Sequence, residues 1–198
     1  MDRDKIKVGV VSLGCDKNRV DTENMLYYIK QHGFQITASA EDADVIIINT
    51  CAFIDDSKRE AIDTVLEFTE LKSQRNIKVI VTGCLPERYK TELVEGFPDV
   101  DAFLGIGDYM KIGSVIDNVL SGKREVCFDC NDLPTTNRIL STPYHYAYLK
   151  IADGCDNHCT YCAIPKIRGK YRSRTVEGLV DEARELYNEY GIKELILV

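Results

Sequence analysis

Three cysteines in one short stretch offer the clearest chemistry. In Asp153-Gly154-Cys155-Asp156-Asn157-His158-Cys159-Thr160-Tyr161-Cys162-Ala163-Ile164-Pro165 they are spaced Cys-x3-Cys-x2-Cys, and the aromatic Tyr161 directly precedes the third. Three thiolates on one loop can hold three irons of a cubane 4Fe–4S cluster, leaving the fourth iron open to a small molecule and an electron. Zinc is a competing reading, but zinc sites normally take four ligands in two pairs, and this triplet is not a usual zinc spacing. His158 could be a fourth ligand, although its immediate neighbour Cys159 leaves little room for both on one metal. Three structural thiols by chance is the remaining alternative.

A second set is dispersed. Cys15, Cys51 and Cys84 each follow directly on an apolar, β-branched run: Lys5 to Val11, Val45 to Ile48, and Lys78 to Val81. Helical patterns lie between these runs. Met25, Leu26 and Ile29 share a face, with Gly33 as a stop. Ser57-Lys58-Arg59-Glu60 reads as a capping box opening a helix with Ile62, Val65 and Leu66 inward. Pro86 suits the first turn of a third helix, in which Tyr89 and Leu93 share a face. Ala102 to Ile106 predicts a fourth strand, Ile112 to Val119 a fourth helix ending near Gly122, and Val126 to Phe128 a short fifth strand. Strands and helices that alternate, with nearly continuous apolar strands, predict an α/β fold with a parallel sheet covered on both faces. Ligands of such sheets sit beyond the carboxyl ends of the strands. Adjacent strands lie about 4.8 Å apart, so thiols at three strand ends can converge on one metal site. Gly14 and Gly83 each precede a cysteine and would let the backbone bend close to it. Three separately buried cysteines are the alternative.

The whole chain bounds these readings. It has 198 residues, a formal charge of -7 and eight cysteines. The acidity gives no overall pull toward nucleic acid, although a local basic patch could still act. No apolar run approaches the roughly 20 residues that span a bilayer. The start, Met1-Asp2-Arg3-Asp4-Lys5, lacks a signal-peptide layout, so no membrane role and a cytoplasmic location are expected. There, cysteines point to metal or catalysis before disulfides. Cys127 and Cys130 form a Cys-x2-Cys pair with no second pair nearby, and read as incidental.

Residues 1–130 thus read as one α/β domain and 131–143, with two prolines, as a linker. Residues 144–198 read as strand (Tyr146 to Ile151), cysteine loop, helix (Thr175 to Tyr190, stopped by Gly191) and strand (Glu194 to Val198). That order is the first unit of a β/α barrel, which needs several more, so a fragment of a longer protein is expected. Between loop and helix, five of nine residues from Lys166 to Arg174 are basic. They predict either a solvated face or a positive rim beside the cluster.

The two halves together resemble the methylthiotransferase family of radical S-adenosylmethionine (SAM) enzymes, over essentially the whole chain. Ser12-Leu13-Gly14-Cys15-Asp16-Lys17-Asn18, Cys51-Ala52-Phe53-Ile54 and Tyr161-Cys162-Ala163-Ile164-Pro165-Lys166-Ile167-Arg168-Gly169 are similar to its RimO branch, which modifies an aspartate of ribosomal protein S12. One departure is Asp16, where that branch commonly has proline. The resemblance implies two 4Fe–4S clusters: an auxiliary one on Cys15, Cys51 and Cys84, and a SAM-binding one on Cys155, Cys159 and Cys162, with Tyr161 near SAM. It implies two SAM molecules, one giving a methyl group to a sulfur at the auxiliary cluster, the other cleaved to a radical that takes hydrogen from the aspartate β-carbon. It also implies an electron donor such as flavodoxin or ferredoxin, and ribosomal protein S12 or the small ribosomal subunit as partner. No side-chain acid or base is required, because such a C–H bond is not deprotonated near neutral pH, and no catalytic residue of that kind is named. A tRNA methylthiotransferase of the MiaB type and a non-catalytic iron–sulfur protein are the alternatives.

Overall fold

The computed structural model describes residues 2–128 and 137–198. Cys130 and residues 131–136 of the expected linker lie outside the described residues. The first half alternates strand and helix: β1 (Lys7–Ser12), α1 (Asp16–Gln31), β2 (Gln35–Thr37), β3 (Val45–Thr50), α2 (Asp55–Gln74), β4 (Lys78–Gly83), α3 (Cys84–Gly96), β5 (Ala102–Leu104), α4 (Ile112–Leu120) and β6 (Glu125–Cys127). The six strands form one sheet in the order β2-β1-β3-β4-β5-β6, and every pairing is parallel. The α/β class and the parallel sheet expected from the pattern are what the chain adopts.

Alternation along each strand sorts the core into two layers. Ile46, Ile48, Val79, Val81 and Phe103 face α2 and α3, meeting Ala61, Val65, Leu85 and Leu93. Val8, Val45, Ile47, Ile80 and Leu104 face the other way, onto Met25 and Ile29 of α1 and Ile112, Val115 and Val119 of α4. All six residues of β3 are buried, as a central strand covered on both faces requires.

The details differ from the pattern in three places. β2 was not expected, because Gln35-Ile36-Thr37 is a short edge strand with little apolar burial to mark it. The second helix begins at Asp55, ahead of the expected box. Ser57 is its third residue, and its hydroxyl donates to Ile54 O at 2.9 Å and accepts from Ile54 N at 3.3 Å. Ser57 therefore supports the helix start from within. Leu66, expected inward, is half exposed.

In the second half, β7 (Tyr146–Leu149) pairs in parallel with β10 (Glu194–Leu197). The expected strand from Tyr146 to Ile151 breaks after Leu149 and resumes as β8 (Ala152–Asp153), which pairs antiparallel with β9 (Arg172–Ser173). A short helix, α5 (Ile164–Arg168), follows the cysteine loop, and α6 (Val176–Tyr190) precedes β10. Thr175 caps α6, accepting from Gly178 N at 3.2 Å, and Gly191 ends it in the left-handed region. Among the described residues no helix is long and apolar enough to cross a membrane.

Candidate functional site

The sheet order reverses between β1 and β3, and the loops after those two strands carry Cys15 and Cys51. A crevice forms at such a reversal, because the crossovers on its two sides run to opposite faces of the sheet. Cys84 follows β4, the next strand along. The fold thus delivers all three thiols to one sheet edge, as the strand-end pattern predicts.

Asn18, in the first turn of α1, ties the three loops together. Its Nδ2 donates to Leu13 O at 3.1 Å and Thr50 O at 2.8 Å, joining the first two cysteine loops. Its Oδ1 lies 3.8 Å from Cys15 Sγ and 3.6 Å from Cys84 Sγ. Asn49 completes the bracket, donating to Asn18 O and Thr22 Oγ1 at 2.8 and 2.9 Å. Thr50 adds a bond to Thr82 O at 2.7 Å and accepts from Leu85 N at 3.2 Å, which fixes the third loop. Glycine is required where the loops touch. Gly14 has φ +102°, and a Cβ there would stand 3.1 Å from Cys51 Sγ and closer still to its Cβ.

As the side chains stand, no three His, Cys, Asp or Glu among the described residues close on a single metal ion. A cubane asks for something different: each thiolate binds its own iron, so the three sulfurs stand apart around a shared space. Three thiols from three loops, with no carboxylate or imidazole among them, suit that role. Burial pushes the Cys84 thiol up to about 11, the neighbouring Cys51 and Cys15 add to this, and Arg168 opposes it. A cation at the site would therefore be needed to hold it as thiolate.

The second cysteine loop starts at Gly154, which shares a cavity lining with Cys15 and Cys51. Cys159 is exposed, and Cys155 and Cys162 are partly so. Cys162 N donates to Cys159 O at 3.0 Å, and Asn157 N to Cys155 Sγ at 3.4 Å. Cys155 N donates to Gly169 O at 3.1 Å, which closes the loop against the chain leaving α5. Gly154 makes that closure possible. It has φ +74°, and a Cβ there would lie 2.0 Å from Lys170 O. Gly154→Ala is expected to destabilise the chain by at least about 1–2 kcal/mol from the left-handed backbone alone, with the clash adding to it. A lower urea midpoint checks this. Tyr161, expected near a cofactor, is 89% exposed.

Beside the first set lies a cavity of about 610 Å3. Cys15, Lys17, Cys51 and Phe53 line it from the first half, and Asp153, Gly154, Ile164 and Arg168 from the second. Its floor is a buried charge network. Lys150 Nζ lies 2.8 Å from Asp21 Oδ1 and 2.7 Å from Asp153 Oδ2. Arg168 reaches Asp21 Oδ2 at 3.2 Å and Asp153 Oδ2 at 3.0 Å. The same guanidinium donates to Asn18 Oδ1 at 2.6 Å and stands 3.8 Å from Cys84 Sγ. Arg168 is therefore neither on a solvated face nor on a rim: it is 4% exposed, while Lys166 and Lys170 beside it in sequence point to solvent. A second network ties the halves near the middle of α1, where Arg138 pairs with Glu23 and Glu182.

Burial by itself would push the Asp153 carboxyl up, but Lys150 and Arg168 outweigh it and hold the group at about 2, against an ordinary 3.8. A carboxylate whose folded value is depressed stabilises the fold above its unfolded value and loses that contribution as pH falls through the folded one. For the apo-protein this predicts about 2 kcal/mol present at pH 5 and lost toward pH 2. Urea melts of Asp153→Asn should show a correspondingly shallower acid slope. For Lys17, burial lowers the ammonium below its usual range, with Lys150 and Arg168 adding to that and Asp153 and Asp21 opposing it.

Sequence reasoning located the six cysteines and missed Asn18, Asp21 and Arg168 as their supports. Residues 7–105 match the model of the uncharacterized protein family UPF0004, and residues 149–198 that of the radical SAM superfamily. The chain is 53% identical to the ribosomal protein uS12 methylthiotransferase RimO of Clostridium tetani, over 98% of this chain and 44% of that protein. It is 51% identical to the same-named protein of Lachnoclostridium phytofermentans, with the same coverage. The chain thus spans less than half the length of these relatives. Among solved structures it resembles the radical SAM methyltransferase TsrM of Kitasatospora setae, with a TM-score of 0.58 at 12% identity, over 98% of this chain and 47% of that one. That likeness is one of fold.

Proposed function

Because the chain belongs to the UPF0004 family and its second half matches the radical SAM superfamily, we propose that it forms the N-terminal part of a methylthiotransferase acting on ribosomal protein uS12. In this reading residues 1–130 are the methylthiotransferase domain, 131–143 the linker and 144–198 the start of the radical SAM barrel. The observation that carries it is a cavity lined by Cys15 and Cys51 from the first half and by Gly154 and Arg168, which flank the second cysteine loop, from the other, with Arg168 reaching to Cys84.

Cys155, Cys159 and Cys162 would hold the 4Fe–4S cluster that binds SAM, with Tyr161 near that cofactor, and Cys15, Cys51 and Cys84 would hold an auxiliary one. Bound there, the clusters and two SAM molecules would supply what side chains cannot: a methyl group, a sulfur and one-electron chemistry at the aspartate β-carbon. The chain's own residues do the positioning. Asn18 and Asn49 set the spacing of the three strand-end loops. Gly154 lets the second loop close on the segment after α5. Phe53 and Ile54, half exposed on the cavity lining, supply apolar surface that excludes water from an occupied site. A flavodoxin or ferredoxin is the proposed electron source, in the cytoplasm where the small ribosomal subunit is found.

The test is to supply the full-length, cluster-loaded protein with SAM, reductant, and either uS12 or tRNA, and to weigh the products. A methylthio mass gain on uS12 supports the reading. A gain on tRNA alone, or no SAM cleavage at all, overturns it.

A further inference from the structure

The charges beneath the cavity are not all paired. Lys17, Lys150 and Arg168 bring three positive charges to this group, and Asp21 and Asp153 bring two negative ones. Lys150 and Arg168 each pair with both carboxylates. Lys17 pairs with neither. Among the described residues its Nζ makes one hydrogen bond, 2.7 Å to the neutral carbonyl of Ala152. An ammonium carries three N–H donors, so two remain. The adjacent carboxylate, Asp16, lines the same cavity but makes no ion pair with Lys17 among the described residues. Lys17 also lies in the cavity wall, in the same loop and helix start as Cys15. A half-buried cation with spare donors, beside a network already complete, is poised for an anion that enters the cavity.

We propose that Lys17 receives the carboxylate of the substrate's acidic side chain and so makes an aspartate, in preference to its amide, the group accepted at this site. The assignment rests on the methylthiotransferase reading and specifies its substrate contact. An ammonium–carboxylate hydrogen bond in a partly dehydrated cavity is about twice as strong as one between neutral groups, whereas an amide presents its own N–H donors and no charge. Held by Lys17, the carboxylate would fix the adjoining carbon relative to both thiol sets, because Lys17 is anchored to β8 through Ala152 and lies two residues from Cys15. SAM also carries a carboxylate, which is the same chemistry from a second source, and the test separates the two.

The experiment uses the full-length, cluster-loaded protein without reductant. It measures the affinity of a uS12 peptide carrying the target aspartate, of the same peptide with asparagine there, and of SAM, for wild type, Lys17→Met and Lys17→Arg. Wild type should prefer the aspartyl peptide by about tenfold or more. Lys17→Met should bring that ratio to about one, Lys17→Arg should keep most of it, and SAM affinity should be unchanged in both. Loss of the Lys17–Ala152 bond alone would weaken both peptides alike and leave the ratio intact, which would overturn the assignment. A fall in SAM affinity with the ratio preserved would overturn it in favour of SAM's carboxylate. Adding reductant to wild type tells the two levels apart: methylthiolation of the aspartyl peptide with an unaltered Lys17→Met ratio sinks only the Lys17 assignment, whereas no reaction on that peptide sinks the functional reading and this assignment with it.

Discussion

Alanine in place of Cys84 is expected to bring the reconstituted full-length protein from about eight irons per chain to about four. SAM cleavage should persist and methylthio transfer should stop. Cys84 is 6% exposed at the first residue of α3, packed among apolar side chains, so alanine removes the sulfur while leaving the helix and its neighbours in place. The partner variant, Cys159→Ala, should also leave about four irons but abolish SAM cleavage, because it removes the other set. Iron and sulfide counting with product analysis reads both. If Cys84→Ala keeps all its iron, or loses SAM cleavage, the division of labour between the two thiol sets is wrong.

Arg168→Met carries the largest expected cost in stability, about 3–5 kcal/mol, because it leaves two buried carboxylates sharing one close cation. Asp21 and Asp153 would retain Lys150 alone, and Asn18 Oδ1 would lose its 2.6 Å donor. The size follows from desolvation: a buried pair adds little over an apolar replacement, but half a pair is a naked charge in a poor solvent. The double variant Arg168→Met/Asp153→Asn should therefore lose less than the sum of the singles. Urea unfolding of the four proteins forms the cycle, and additivity within about 0.5 kcal/mol would show that the two side chains are not coupled. Lost coupling should also loosen the second cysteine loop from the first half, since Arg168 closes α5 onto Asn18 and Cys84.

The elements themselves were readable from local chemistry. β3 and β4 are runs of Val and Ile bounded by polar residues, and such runs can be buried only in a sheet covered on both faces. The cysteines at their ends were placed on one edge by the direction of parallel strands, which needs no coordinates. β2 escaped because an edge strand buries too little to leave a pattern, and the end of the strand beginning at Tyr146 was misplaced because the break after Leu149 is dictated by its partners, β10 and β9.

The charged residues show where a sequence stops speaking. Asp21 and Glu23 are charged positions of α1 that by themselves read as facing water. In the fold both are covered from the C-terminal half of the chain, through Lys150, Arg168 and Arg138. Arg168 sits among four other basic residues and looks like one of a solvated group, yet it alone of Lys166, Arg168 and Lys170 is buried, because α5 turns it inward toward Asn18. The amino-acid sequence by itself determined which thiols exist, their spacing, and the sheet edge on which three of them emerge, because these follow from covalent order and from hydrophobic periodicity. Only the tertiary structure decided which cations face which carboxylates and which is left over, because Asp21 and Glu23 find their cations more than a hundred residues away, and no local pattern encodes them.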